Sequence, residues 1–355
     1  MRKRTLALTL AAGLALAGCG SSGNTDNADP TPAGQSAGAP GGSGTAGSAG
    51  GQERKTVKVA IAAKLEAFAP LLVGMELGDY DKQGLDVEIV SAKNSDALVL
   101  LATGEVDAIF GAPSAAFFNA VSGGSEIKIV APGMFPPKES QQGVWVNKEL
   151  APGGKFDPTK LKGQVIASAV GPGAPVSMVI EDQLKTAGVS MNDVTLQTMG
   201  ATDILVALES GAVKAGWLSD PVWLEATKSD SLVYAFGQPS DMTVGAVLFG
   251  PNLLQKDKEK GQRLIDAMAS TTRDHLQGKY HQDKQVRAAL VKQLEIDDAQ
   301  VDLLPELSFP GDLKYPSKLT DRLQTTFKGQ EGVLVYTDPI PEDTLIDRSF
   351  VDAIG

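Results

Sequence analysis

Residues 87–110 read VEIVSAKNSDALVLLATGEVDAIF, and residues 194–217 read VTLQTMGATDILVALESGAVKAGW. The two stretches align without a gap at an offset of 107 residues, from Val87 to Val194. The pairs Val87/Val194, Asp96/Asp203, Leu98/Leu205, Val99/Val206, Leu101/Leu208, Gly104/Gly211, Val106/Val213 and Ala108/Ala215 are identical. Each copy divides in the same way. A β-rich run meets a polar break, where Asn94 or Ser95 in one copy and Thr202 in the other can cap a helix. The helix ends at Gly104 or Gly211, because glycine takes the left-handed backbone of a helix stop without a Cβ clash. A second strand follows, and Ala112-Pro113 or Asp220-Pro221 then opens the next helix. Two βαβ-like units of one design predict two lobes of one design.

The flanks extend the pattern. Residues 57–62 form a β-rich run followed by a helix over about 70–77 and by Gly84; residues 165–169 precede a helix over about 176–187 and Gly188. Further strands are expected at 127–130, 144–146 and 244–249, and long helices at about 256–277, 284–294 and 317–328. Strands alternating with helices predict an α/β protein with two mainly parallel sheets, helices on both faces.

The chain begins differently. Arg2, Lys3 and Arg4 precede a charge-free apolar run over 6–16, too short to span a bilayer. Leu16-Ala17-Gly18-Cys19 follows and is similar to the lipobox of bacterial lipoproteins, which implies a signal peptide over 1–18 and a lipid on Cys19. Cys19 is the chain's one cysteine, so no internal disulfide competes for it. Residues 19–55 are rich in Gly, Ser and Ala and lack a large aliphatic over 20–52, so they are read as a flexible tether. Such a coil spans roughly 30 Å. Loss of the three leading cations takes the formal net charge from −11 to −14, which argues against nucleic acid and anionic lipid surfaces as partners.

The residues after the tether resemble the substrate-binding proteins of ABC importers of the nitrate, sulfonate, taurine and thiamine-precursor type. The resemblance rests on Val57-Lys58-Val59-Ala60 with its following Ala-Pro helix, on residues 78–88 (GDYDKQGLDVE), on residues 104–108 (GEVDA), on Ile127-Lys128-Ile129-Val130 and on residues 345–350 (LIDRSF). It implies a bilobal type II periplasmic-binding-protein fold, with lobe 1 at 56–137 plus 245–355 and lobe 2 at 138–244. It also implies a ligand cleft between the lobes, a hinge at 136–142 and 241–244, and delivery of a small molecule to an ABC permease and its ATPase. The protein would be an extracytoplasmic monomer held to the membrane by its lipid.

In open α/β sheets ligands bind beyond the carboxyl ends of strands, at loops leading into helices. Those loops contain Lys64, Glu66, Phe68, Asn94, Ala112, Ser114, Met134, Gly171, Gly173, Ala174, Thr202, Trp217, Ser219 and Asp220. The small residues of 171–174 would let backbone approach a ligand, and Phe68, Phe110 and Trp217 could stack on a flat one or pack in the core. Ser114, Thr202 and Asp220 could bond ligand or cap helices. No arginine lies between Arg54 and Arg263, so the cleft lacks the guanidinium fork that grips sulfonate best, and Lys64 is read as the cation of these loops. A neutral or weakly cationic heteroaromatic ligand is therefore expected over a small sulfonate or nitrate. His275 and His281 are read as surface residues away from the cleft, and no motif for a metal, a cofactor or a catalytic nucleophile occurs, so the protein is expected not to be an enzyme. A cytosolic pyrimidine synthase of this fold carries a cysteine-rich motif that is absent here. A sensor subunit for a membrane kinase would look the same in sequence.

Overall fold

We describe residues 54–355 of a computed structural model of the chain; the segment read as a signal peptide, Cys19 and all but the last two residues of the segment 19–55 read as a tether lie outside them, whereas Lys55 belongs to the first strand. Ten strands form two five-stranded sheets. In chain order they are β1 (Lys55–Ile61), β2 (Leu85–Ser91), β3 (Ala108–Gly111), β4 (Lys128–Pro132), β5 (Gly143–Asn147), β6 (Val165–Ser168), β7 (Thr195–Thr198), β8 (Ala215–Leu218), β9 (Leu232–Gly237) and β10 (Ala246–Phe249). The sheet of lobe 1 has the order β2-β1-β3-β10-β4 and that of lobe 2 the order β7-β6-β8-β5-β9.

The repeat is visible in this topology. β2, the helix Asn94–Thr103 and β3 of lobe 1 correspond to β7, the helix Ala201–Glu209 and β8 of lobe 2. Gly104 and Gly211 both adopt left-handed φ, +78° and +74°, as the helix stop requires. The expected caps are not used: Lys93 and Gly200 stand at the N-cap positions and neither bonds the helix through a side chain. The sheets are mixed rather than mainly parallel. β2-β1-β3 and β7-β6-β8 run parallel, but β10 is antiparallel to β3 and β4, and β5 to β8 and β9. β5 and β10 each arrive from the other lobe, and they enter against the local strand direction. β9, which has no counterpart among the strands expected from sequence, closes the edge of lobe 2.

The lobes join through residues 133–142 and 238–245, which lie side by side. Gly133 N donates to Gly245 O (3.0 Å) at one end and Gln238 N to Gln142 O (3.1 Å) at the other. A Cβ on Gly133 would come within 2.7 Å of Gly245 Cα, and one on Gly143 within 2.3 Å of Gly237 Cα. Between the glycine contacts, buried Gln142 donates through Nε2 to Gln238 Oε1 at 2.8 Å. These segments include residues 136–142 and 241–244, where a hinge was expected.

A third connection forms near the C-terminus. Of the stretch 245–355 read as lobe 1, the helix Leu319–Lys328 meets lobe 2: Arg322 pairs with Asp182 (2.6 Å), Thr326 donates to Glu181 and Gln330 donates to Ser177 (3.3 Å). Its Phe327 packs edge-on against Phe118 of lobe 1, with centroids 5.8 Å apart. Three residues past Gln330 the chain returns to lobe 1, where Asn119 bonds Val333 O and Val335 N, each at 3.0 Å.

Asp107 shows how the repeat motif is fixed in lobe 1. Its buried carboxylate accepts from Lys58 N (2.9 Å), Asn252 Nδ2 (2.9 Å) and Lys260 Nζ (3.1 Å), so it ties β1 to the late helices. Asp107→Ala takes the carboxylate from Lys58 N and leaves Asn252 Nδ2 and Lys260 Nζ only their second acceptors, Gly104 O and Thr56 O, and is expected to cost about 3 kcal/mol. Urea denaturation checks this; a loss within about 0.5 kcal/mol, the range of surface substitutions, would contradict it.

Candidate functional site

The carboxyl ends of β1 and β3, the starts of the helices after them and the loop after β6 converge on one cavity. It has a volume of about 760 Å³, lies between the lobes, and has a mainly apolar wall. Of the expected residues, Phe68, Asn94, Ala112, Ser114, Met134, Gly171, Gly173 and Ala174 line it. Phe110 lines it too, although only 4% exposed. Val170, Thr198, Val244, Met268 and Phe309 are also part of the wall. Met268 and Phe309 come from helices and loops far along the chain, with no counterpart in the repeat, and periodicity carried no signal for them.

Asn94 is a brace. Its Nδ2 donates to Ala112 O (3.3 Å) and Ser114 Oγ (3.2 Å), while its Oδ1 accepts from Ala112 N (3.3 Å). These bonds hold the loop after β3 against the start of the helix Asn94–Thr103. Gly111 is small for the same reason, since a Cβ there would stand 2.5 Å from Asn94 Oδ1.

Of the glycines in the loop after β6, Gly173 is held by the opposing lobe. Ala115 N of lobe 1 donates to Gly173 O of lobe 2 at 2.8 Å. A Cβ on Gly173 would meet Ala115 Cβ at 2.9 Å, whereas one on Gly171 meets nothing closer than Thr198 Oγ1 at 3.8 Å. Neither glycine takes a left-handed φ. The small residue is therefore required at 173 by close approach of the lobes.

Six expected residues lie elsewhere. Lys64 is exposed and pairs with Glu295 at 3.0 Å; the cation at the cavity is Lys93. Thr202 is exposed on the first turn of its helix, and Trp217, the repeat partner of Phe110, is buried in the core of lobe 2 with no face on the cavity. Ser219 is partly buried and outside the wall. Glu66 and Asp220 are set behind it. Glu66 Oε1 accepts from Tyr280 Oη (2.6 Å) and lies 2.5 Å from His281 Nε2. Tyr280 Oη in turn accepts from Leu307 N at 2.8 Å, and burial beside Glu66 raises the tyrosine pKa far above its usual value. His281 is 7% exposed, so its reading as a surface residue was wrong: the turn after the helix Lys258–His275 folds inward to serve Glu66. His275 is half-buried beside Asp79 at 3.4 Å.

On the lobe 2 side Asp220 accepts from Trp223 Nε1, and its N–H donates to Gln142 Oε1 at 3.3 Å. Asp220 Oδ2 and Glu66 Oε2 are both buried without a hydrogen-bond partner. Burial pushes the Asp220 carboxyl up to about 6; the Trp223 bond opposes this, and the Glu66 charge adds to it. In an unfolded chain the group titrates near about 4. The folded form thus binds the proton more tightly. The resulting stability is fully present below about pH 4 and is lost as pH rises through about 6, about 2–3 kcal/mol in all. Asp220→Asn is expected to remove that slope and to raise stability at about pH 7.5. Urea denaturation across this range tests it, and a slope equal to wild type would assign the titration to another group.

The sequence profile of the NMT1/THI5-like family matches residues 66–277, more than half of the chain. The chain belongs to the NMT1/THI5-like family. No curated protein sequence matches it. Solved structures share the fold of this NMT1/THI5-like protein at low identity. The alkanesulfonate-binding protein SsuA from Xanthomonas axonopodis pv. citri, bound to MOPS, has a TM-score of 0.61 at 17% identity, covering 84% of this chain and 100% of its own. The periplasmic nitrate-binding protein NrtA from Synechocystis PCC 6803 has a TM-score of 0.60 at 15% identity, covering 85% and 86%. The desulfurization enzyme DSZB has a TM-score of 0.56 at 14% identity, covering 84% and 98%. The fold thus serves solute binders and at least one enzyme.

Proposed function

We infer that this NMT1/THI5-like protein is an extracytoplasmic solute-binding protein that captures a small organic molecule and hands it to an ABC import permease. The observation that carries this reading is the cavity itself: about 760 Å³, lined from both sheets' sides, with a mainly apolar wall and few polar groups. That is the size and character of a site for a small organic ligand. Phe68, Asn94, Ala112, Ser114, Met134, Gly171, Gly173 and Ala174 are its proposed contacts. A lipid on Cys19 would keep the receptor beside its transporter.

The ligand we favour is a neutral or weakly cationic heteroaromatic. Phe68 and Phe110 offer flat apolar faces, Lys93 is the one cation in the wall, and no arginine lines it. A sulfonate or nitrate is the second reading, favoured by the ligands named for the SsuA and NrtA neighbours. The DSZB neighbour raises an enzymatic reading. Against it, the wall contains no cysteine, histidine or carboxylate side chain to act as nucleophile or base. A thermal-shift screen separates these readings, because a ligand that binds only the folded state raises the melting point. Aminopyrimidines and related heterocycles are expected to shift it by several degrees, and alkanesulfonates and nitrate to leave it unchanged. Stabilisation by a sulfonate or nitrate alone would overturn the ligand class, and turnover of any bound compound would overturn the receptor reading.

A further inference from the structure

Glu66 follows β1 of lobe 1 and Asp220 follows β8 of lobe 2, so each stands at a strand end that borders the cleft. Tyr280 and His281 both bond Glu66 through Oε1, and Trp223 and Gln142 hold Asp220. That leaves one carboxylate oxygen on each lobe, Glu66 Oε2 and Asp220 Oδ2, buried with no donor. The two groups are close enough for the Glu66 charge to act on Asp220. An unpaired buried carboxylate is costly, and a like charge beside it adds to the cost. The ionisable groups around the pair supply no cation to Asp220. On lobe 1, His281 and Tyr280 serve Glu66, Glu306 accepts from His281 N, and Asp302 is paired with Arg287. On the helix after Asp220, Glu225 is paired with Lys228.

A second cavity, of about 560 Å³, adjoins the pair. Its wall contains Trp223, which bonds Asp220, together with Glu306 and Leu307, which bond His281 and Tyr280 behind Glu66. Glu139 of the crossing segment and Glu306 are its ionisable residues, and no lysine or arginine lines it. Solvent thus has a way to the two carboxylates, and a basic side chain does not. Among the described residues no group of three His, Cys, Asp or Glu side chains could hold a metal ion, so the species that fits the gap is a proton. We propose that Glu66 and Asp220 form a proton-operated latch between the lobes: in mild acid the closed arrangement holds a proton on this pair, and parting the lobes releases it. The latch rests on the opening and closing that the solute-binding reading requires. Parting the lobes separates the two charges and admits water to both. Asp220 then titrates near about 4, as an exposed carboxylate does, whereas burial in the closed form holds it at about 6. The closed form binds the proton more tightly, so acid favours closure. The ratio of closed to open molecules is flat above about pH 7 and rises about tenfold by about pH 5.

The test needs no ligand. Val99→Cys on lobe 1 and Val206→Cys on lobe 2, both at exposed positions, carry spin labels in the full chain with Cys19→Ser, and double electron resonance reads the separation of the lobes. With Glu66 and Asp220 intact, the shorter separation is expected to gain about tenfold over the longer one between about pH 7.5 and about pH 5. Asp220→Asn, of the same shape without the charge, is expected to favour the shorter separation at both pH values. Glu66→Gln is the second variant and is expected to move the midpoint of the change to lower pH, since the Glu66 charge no longer disfavours an ionised Asp220. A separation that ignores pH with the pair intact would overturn the latch. So would a longer separation in acid, or a change that survives both substitutions. Calorimetry with the compounds of the thermal-shift screen keeps the two readings apart. If a compound binds while the separation ignores pH, the latch alone falls. If the separation follows pH while no compound binds, the solute-binding reading falls and the latch stands.

Discussion

Gly173→Val is expected to lower ligand affinity about 100-fold while leaving the melting point of the ligand-free protein nearly unchanged. The new side chain occupies the space where Ala115 of the opposite lobe approaches, with the first added carbon only 2.9 Å from Ala115 Cβ. It also presses on the bond from Ala115 N to Gly173 O. An overpacked contact of this kind costs about 1–3 kcal/mol. That cost falls on the closed arrangement alone, because the two residues belong to different lobes and separate when the cleft opens. A ligand that needs the closed form then binds more weakly in proportion to the lost closed population. Calorimetry with the compound found by thermal shift measures the loss. Gly171→Ala is the control, since its Cβ meets no atom closer than 3.8 Å and binding is expected to stay within about threefold of wild type. Equal effects at the two glycines would show that contact between the lobes does not limit binding.

His281→Leu is expected to destabilise the protein by about 3–5 kcal/mol, the cost of removing one partner from a buried, bonded carboxylate. Glu66 would keep only Tyr280 on Oε1, with Oε2 already unpaired. Glu66→Leu combined with His281→Leu is expected to recover much of the loss, because the double change removes the carboxylate and its partner together. Glu66→Gln is expected to lower the Asp220 pKa from about 6, since the Glu66 charge contributes to raising it. Urea denaturation gives the stabilities and its pH dependence follows Asp220. A double variant as unstable as His281→Leu would show that shape at this site matters more than charge.

The sequence disclosed the fold through spacing, and it disclosed the cavity where spacing repeats. Phe68, Asn94, Ala112, Ser114, Met134 and the glycine loop all sit at strand ends of the βα units, where periodicity and chain punctuation mark the position. Trp217 failed because equivalence in a repeat fixes backbone position only. Phe110 reaches the cavity from β3, but its partner on β8 is turned into the core of lobe 2. Lys64 failed for a different reason: its long side chain reaches Glu295, a partner 231 residues away that local reading cannot supply. The same holds for His281. A turn that looks exposed between two helices is folded inward by a buried glutamate from the start of the chain. Met268 and Phe309 reach the wall through tertiary packing alone.

The C-terminal crossing limits travel between the lobes. If the lobes turn about the two crossing segments, as the proposed function requires, a third attachment away from that axis acts as a stop. Gln330 is fastened to lobe 2 and Val333 to lobe 1, so the free length between them is three residue steps, about 10 Å at full extension. Wider opening must break the Asn119 bonds or lift the helix Leu319–Lys328 from lobe 2. The Asn119 bonds are the weaker tie, worth about 1–3 kcal/mol together. The C-terminal crossing thus sets how far the two sheets can part before a contact is broken, which bounds the width of the opening through which any ligand would pass.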